Sequence, residues 1–200
     1  MYNPSDFKVQ DKSLIVQFIR NNGFGVMFSA TGGEMAASSV PTIVDNSCTI
    51  VKGHLAKANN MWRGLDGSKV LVVFSGPNHY ISPVWYGEDD VVPTWNYVSV
   101  QLTGTFRIVD DSNKAMAILD ELVEFYEAKM GQDWKVDWAI PKYSKMVNAI
   151  VAFMIEVDRV EGKWKLSQNH PRKNTSMVAK NLREIDSCNA RSIAELMEQL

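Results

Sequence analysis

Two aromatic segments lie close together near the middle of the chain, and both mix large rings with hydroxyl and amide groups. They span residues 80–86 (YISPVWY) and 92–97 (VPTWNY). The rings supply stacking area for a planar heteroaromatic ligand, and Ser82, Thr94 and Asn96 can reach the polar edge of such a ligand. The alternative is that the rings close the mouth of a barrel or a dimer interface.

A pair of lysines forms a second candidate site. Residues 161–169 read EGKWKLSQN, which places Lys163 and Lys165 two positions apart. In an extended strand successive side chains point to opposite faces, so both ammonium groups project from one face and Trp164 from the other. Two ammonium groups that converge can bind one anion, and phosphate is the natural candidate. The alternative is a solvated edge strand whose lysines prevent unwanted strand pairing.

A third candidate is the segment 53–59 (GHLAKAN), in which His54 and Asn59 flank a predicted short helix. The amino terminus of a helix attracts anions, and histidine titrates near neutral pH, so His54 is a candidate for a ligand contact or for acid–base chemistry. A purely structural role is the alternative. His79 and His170 are not spaced as metal ligands with His54 or with each other.

The elements that must position these residues are predicted to be mainly strands. Strands are predicted at 24–30, 35–44, 49–51, 69–75, 80–82, 97–109 and 150–160, and helical segments at 11–21, 54–62, 111–130, 141–149 and beyond His170. Gly104 is a candidate bulge or barrel bend. Because strands and helices do not alternate regularly, the pattern favours an α+β fold on a small antiparallel barrel over a Rossmann or TIM fold.

Composition narrows the class of protein further. The chain has 200 residues, 46% of them hydrophobic and 22% charged, with a formal net charge of −2. These values indicate one large globular domain and exclude both overall disorder and the global positive field of a histone-like protein. We expect no membrane segment and no export signal, because apolar runs of the required length are missing. Cys48 and Cys188 are far apart, which favours a reducing cytoplasm over a disulfide framework.

Several long motifs resemble, in the same order, those of the PaiB-type family of FMN-binding negative transcriptional regulators. The resemblance runs from Met1 to about Leu182 and rests on residues 1–4 (MYNP), 53–59, 76–86 (GPNHYISPVWY), 92–97 and 161–169. It implies an antiparallel split β-barrel with peripheral helices, formed by residues 1–169. It also implies a helical C-terminal extension, residues 170–200, packed on the barrel or on a dimer partner. FMN is expected near the interface of a homodimer.

The family pattern also nominates site residues. Candidates for the flavin pocket or its dimeric walls are Tyr80, Ser82, Trp85, Thr94, Trp95, Asn96 and Tyr97. Candidates for phosphate or ribityl contacts are Lys163, Lys165, Ser167 and Gln168, with His54, Lys57 and Asn59 as neighbouring support. The chain departs from the family where a Thr-His-Leu-Pro segment is usual, because Ser39 replaces the histidine.

The leading functional hypothesis is therefore a cytoplasmic, homodimeric FMN-binding regulator in which flavin is a ligand or a redox sensor. One alternative is a flavin-dependent oxidoreductase of the pyridoxamine-phosphate-oxidase-like group, since flavin itself carries the redox chemistry. Another is a flavin-free interaction protein, which Ser39 favours. Residues 163–183 contain six basic and no acidic side chains, so any DNA contact is expected there. The chain has no helix-turn-helix signature with a basic recognition helix.

Overall fold

The computed structural model describes residues 1–199, which form an antiparallel sheet flanked by helices. The strands are β1 (Lys8–Val9), β2 (Phe24–Thr31), β3 (Glu34–Val44), β4 (Ile50–Ala56), β5 (Lys69–Ile81), β6 (Thr94–Ile108) and β7 (Ile150–Lys165). The α-helices are α1 (Lys12–Asn21), α2 (Ser112–Lys129), α3 (Pro141–Val147), α4 (Arg172–Arg183) and α5 (Cys188–Glu198). The strand order is β1-β7-β4-β3-β2-β5-β6, and a further pairing of β6 with β7 closes the sheet. The predicted α+β barrel is confirmed.

Closure of the barrel depends on Gly104 in β6. A Cβ atom added there would lie 2.4 Å from the backbone oxygen of Glu156 in β7, a distance that no other residue could tolerate. Glycine therefore lets the two strands approach, as the predicted bend requires. Inside the barrel, Phe106 and Phe153 pack with their ring centroids 4.9 Å apart, and both side chains are fully buried.

Several predicted boundaries were wrong because strands are longer than their local patterns indicate. For example, β6 begins at Thr94 and not at residue 97. The helical turns expected from His54 begin only at a short 3-10 turn, Asn60–Trp62, because β4 pairs with β7 as far as Ala56. The predicted break at residues 76–78 lies inside β5. Pro77 has no N–H group to pair, and it is tolerated there because the pairing of β5 with β2 ends at Val73. Strand β7 continues past residue 160 because β1 pairs with its end.

The chain divides into two compact units. Unit 1 contains residues 1–11, 75–100 and 161 onward, and unit 2 contains residues 12–74 and 101–160. Unit 2 holds the interior of the barrel and a second apolar core, in which Ile118 and Leu122 of α2 pack with Val147 and Ala152. No helix within residues 1–199 is long and apolar enough to cross a membrane.

Unit 1 contains the helical hairpin formed by α4 and α5. The two helices bury Val178, Leu182 and Ile193, together with alanines that permit close approach. Ser187 caps α5 by accepting a hydrogen bond from the amide of Ala190. The predicted domain division at residue 169 remains a prediction, and the last residue of that extension lies outside the described residues.

Candidate functional site

Unit 1 contains a cavity of about 500 Å³ at the end of β7, a volume that suits a small-molecule ligand. Three predicted site residues, Thr94, Lys165 and Ser167, lie in its wall. The full lining is Phe7, Tyr86, Glu88, Asp90, Val91, Val92, Thr94, Lys165, Ser167, Asn169 and His170. We call this space the unit 1 cavity.

Lys165 is the partly buried cation of the unit 1 cavity. Its Nζ donates hydrogen bonds to Thr94 Oγ1 and, at 2.8 Å, to the backbone oxygen of Trp95. The ammonium group also lies 5.9 Å from the centre of the Phe7 ring. Burial lowers the pKa of Lys165, and the positive charge of neighbouring Lys163 lowers it further.

Lys163 is more deeply buried, with 6% of its surface exposed. Its Nζ donates to the backbone oxygen of Tyr2 at 3.0 Å and lies 5.3 and 5.5 Å from the ring centres of Tyr2 and Tyr97. Trp164 points into the core on the opposite face, as the strand periodicity predicts. Among the described residues, neither Lys163 nor Lys165 forms an ion pair with a carboxylate.

The turn that follows β7 is held by Ser167 and Gln168. Ser167 has a φ of 65°, a left-handed conformation that is uncommon for residues other than glycine. The Gln168 side chain folds back over the turn, accepting from the Leu166 amide at 2.7 Å and donating to the Trp164 carbonyl at 2.6 Å. This turn fixes where Lys165 and Ser167 lie relative to each other.

Behind the cavity wall, buried polar side chains form a hydrogen-bonded chain. The Tyr86 hydroxyl lies 2.7 Å from Ser167 Oγ, and Ser167 Oγ donates to Asn96 Oδ1 at 3.1 Å. Asn96 Nδ2 donates to the sulfur of Met197 at 3.4 Å. Burial raises the pKa of Tyr86. Asn96 is fully buried, and both of its amide atoms are already bonded within the protein.

The predicted aromatic residues of unit 1 leave ring surface accessible. Tyr80 and Trp95 are 42% and 54% exposed and meet edge to face, with their ring centres 6.0 Å apart. Trp85 stacks on His79 at 6.5 Å. Ser82 precedes a 3-10 turn, Pro83–Tyr86, but its side chain does not cap that turn. Exposed rings of this kind can accept a planar ligand or another protein surface.

The remaining candidates lie in unit 2. His54 belongs to β4, so the predicted position at a helix amino terminus is wrong. Its buried Nδ1 atom has no hydrogen-bond partner among the described residues, and burial lowers the pKa of the imidazole. Asn59 donates to Ser38 Oγ at 2.8 Å and accepts from the Met61 amide at 3.0 Å. Lys57 is exposed, and its carbonyl accepts from Trp62 Nε1 at 3.0 Å.

Sequence reasoning missed several residues of the unit 1 cavity. The His170 ring lies 4.5 Å from that of Tyr86. Asn169 ends the recognised segment 161–169 and His170 directly follows it, so proximity in the sequence was an available signal. Phe7 was not recognisable from the sequence, because the pairing of β1 with β7 brings it to the site from the other end of the chain.

Comparison with known proteins agrees with this architecture. Residues 1–159 match the model of a family described as "Putative FMN-binding domain". The chain is also 33% identical over 202 residues to "Protease synthase and sporulation protein PAI 2" of Bacillus subtilis, covering 99% of this chain and 97% of that protein.

Solved structures show the same fold at low sequence identity. The FAD and heme binding protein of Mycobacterium smegmatis matches with a TM-score of 0.61 and 13% identity over 79% of this chain and 73% of that one. The flavocytochrome Anf3 of Azotobacter vinelandii matches with a TM-score of 0.58 and 13% identity over 79% and 69% of the two chains. The expected split-barrel fold is therefore confirmed. The sequence matches to the family model and to the Bacillus relative show that the chain belongs to the FMN-binding family that the PaiB-type motifs indicated, with FMN as its cofactor.

Proposed function

We propose that this protein is a homodimeric, cytoplasmic regulator that binds FMN in the unit 1 cavity and uses it as a ligand or redox sensor. The observation that carries the proposal is the pair Lys163 and Lys165. One ammonium group is buried and the other partly buried, and within residues 1–199 neither forms an ion pair with a carboxylate. Buried charges are normally paired. A phosphate group would supply the missing negative charge and relieve the repulsion between the two lysines.

The donor set of the unit 1 cavity fits the polar part of FMN. Lys165 and Thr94 would hold the phosphate, and the side chains of Asn169 and His170 would serve the ribityl hydroxyls. The exposed rings of Tyr80 and Trp95, which belong to unit 1 but do not line the cavity, are the proposed stacking surface for the isoalloxazine. When bound, FMN supplies electron-transfer chemistry, and these residues bind and orient it.

Titration of the purified protein with FMN tests this proposal. We expect quenching of FMN fluorescence that saturates at one flavin per chain, with weaker binding of riboflavin, which lacks the phosphate. If neither absorbance nor fluorescence reports binding at saturating FMN, the protein is a flavin-free interaction protein. Steady oxidation of a nicotinamide cofactor by the loaded protein would instead favour the oxidoreductase alternative.

The homodimer is proposed from the outer face of the sheet in unit 2. Side chains in neighbouring strands form apolar rows there, because Phe28 lies opposite both Ala37 of β3 and Leu71 of β5. Val26 and Val73 form part of the next row, and Phe24 is 69% exposed. A groove of about 410 Å³ crosses this face. A second copy is the proposed occupant, since one self-complementary apolar patch on each subunit is sufficient for a two-fold dimer.

Regulation is proposed to act through DNA contact by α4. Arg172, Lys173 and Lys180 are exposed on this helix, whereas Arg183 is held by Glu198 through two hydrogen bonds of 2.8 and 2.5 Å. Three uncompensated cations per subunit suit contacts with phosphates rather than with base edges. The free thiols Cys48 and Cys188 support the proposed cytoplasmic location.

A further inference from the structure

The buried polar chain behind the unit 1 cavity joins the cavity to both helices of the hairpin α4–α5. At one end it reaches Met197 of α5 through Asn96. At the other, Asn174 of α4, which is 6% exposed, donates to the Tyr86 carbonyl at 2.8 Å. Tyr86 and Ser167 are also wall residues of the cavity. The same side chains therefore touch the ligand space and hold the hairpin.

The direction of the hydrogen bonds makes this network of buried polar side chains cooperative. Ser167 has one hydroxyl proton and gives it to Asn96, so the Tyr86 hydroxyl must donate to Ser167. The raised pKa of the Tyr86 phenol keeps that proton in place. Opening of the hairpin would remove the partner of the Asn96 amide nitrogen and the partner of the Tyr86 carbonyl, and unsatisfied buried polar groups are costly. Each bond therefore depends on the next.

A second contact links the cavity rim to α4. Gly87 begins the loop that carries Glu88 and Asp90 along the cavity. Its φ is 69°, and a Cβ atom there would lie 2.8 Å from the Met177 methyl group. Glycine thus allows the rim loop to pack directly on the helix. The loop and the wall are both attached to the hairpin.

We propose that this network couples occupancy of the unit 1 cavity to the stability of the α4–α5 hairpin. The coupling rests on the proposed function, because FMN is the occupant. A ligand packed against Tyr86 and His170 restricts the wall. A restricted wall keeps Asn96 bonded to Met197 of α5 and the Tyr86 carbonyl bonded to Asn174 of α4. By thermodynamic linkage, a more stable hairpin also binds the ligand more tightly. The hairpin that carries the exposed basic residues thus responds to flavin.

Hydrogen exchange followed by mass spectrometry measures the coupling. We expect saturating FMN to slow amide exchange in residues 188–198, by a factor within the roughly 5- to 150-fold range typical of coupled sites. The variant Met197→Leu keeps the volume but removes the sulfur acceptor. It should reduce the protection and weaken FMN binding by the same factor. Unchanged exchange in α5 while FMN is demonstrably bound would overturn the coupling and leave the proposed function intact.

The same exchange measurement without FMN tests the network even if FMN does not bind. Tyr86→Phe removes only the hydroxyl at the cavity wall. It should accelerate exchange in α5, because that hydroxyl is linked to Met197 through Ser167 and Asn96. Ser176→Ala is the matched control, because the Ser176 hydroxyl bonds only the Arg172 carbonyl of its own helix. If the two variants give the same α5 exchange, the network does not transmit, and the proposal fails. If the native protein does not bind FMN but the two variants still differ in α5 exchange, the proposed function and this role for flavin are both overturned.

Discussion

Lys165 is the single residue on which the proposed flavin site depends most. Removing its charge as Lys165→Met should lower FMN affinity by roughly ten- to a hundred-fold, because a charge-assisted hydrogen bond contributes about 1.5–3 kcal/mol. Binding of riboflavin should hardly change. The free energy of unfolding without ligand should change little, because loss of the hydrogen bonds to Thr94 and Trp95 opposes the relief of repulsion from Lys163. Paired fluorescence titrations and denaturant unfolding measure both effects.

Lys114→Met is the control for that experiment, because Lys114 is an exposed lysine of α2 in unit 2, whereas the cavity is lined by residues of unit 1. It should leave FMN affinity unchanged. Equal losses of FMN and riboflavin affinity in Lys165→Met would contradict a phosphate contact. Lys163→Met should weaken FMN binding as well, and it should also destabilise the fold, because Lys163 holds Tyr2 through a hydrogen bond and a ring contact.

His54 gives a prediction for the dependence of stability on pH. Burial lowers the pKa of its imidazole below 6.5 in the folded state. Between that lowered pKa and 6.5 the unfolded chain binds more protons, so the free energy of unfolding should decrease as the pH falls through this window. His54→Gln should flatten this part of the curve. Denaturant unfolding at several pH values checks it, and an identical pH dependence in the variant would show that other groups are responsible.

Some of these residue properties follow from the sequence and others do not. The alternation of Lys163, Trp164 and Lys165 required only the period of a strand, and the structure shows the tryptophan in the core. The contacts of the two lysines with Tyr2 and Phe7 depend on pairing between the two ends of the chain. No local pattern encodes such a pairing.

Among the elements, the strands were predicted better than their ends. Local propensity placed a helix after residue 53, but the ladder between β4 and β7 extends the strand to Ala56. Pairing with β1, from the other end of the chain, continues β7 to its end at Lys165. Helices α1 and α2 were predicted within a residue or so, since their periodicity and the Asp111 cap of α2 are local signals. Tertiary pairing therefore decides the boundaries that matter for the site.

Helix α4 carries the prediction for DNA. Reversing the charges of Arg172, Lys173 and Lys180 should abolish binding to duplex DNA while FMN affinity is retained. Because Glu198 already neutralises Arg183, a dimer offers three free cations per subunit, and the log–log salt slope of the native protein should reach at most about −5. Anisotropy titrations at several salt concentrations measure it. Arg183→Glu alone serves as the comparison, and it should have a smaller effect than Lys180→Glu.

At the scale of the whole molecule, the outer face of the sheet leaves apolar side chains facing solvent in rows, while Met27 and Val72 on the other face are fully buried. A monomer would expose this surface permanently. A two-fold dimer buries the same patch of both subunits in one interface. Phe28→Glu places a charge in the centre of the row between Ala37 and Leu71. An unpaired charge at a buried interface is costly, so this variant should be monomeric while the native protein is dimeric.

Light scattering coupled to size-exclusion chromatography distinguishes these states at micromolar concentration. Met130→Glu is the matched control, because Met130 is a 75% exposed apolar residue at the end of α2 and does not belong to a strand of the sheet. It should remain dimeric. If Phe28→Glu is monomeric and still binds FMN with native affinity, one subunit supplies the complete flavin site. A dimer that survives Phe28→Glu would place the interface on another surface. The Tyr80 and Trp95 rings would then be the next surface to test, because both are exposed and pack against each other.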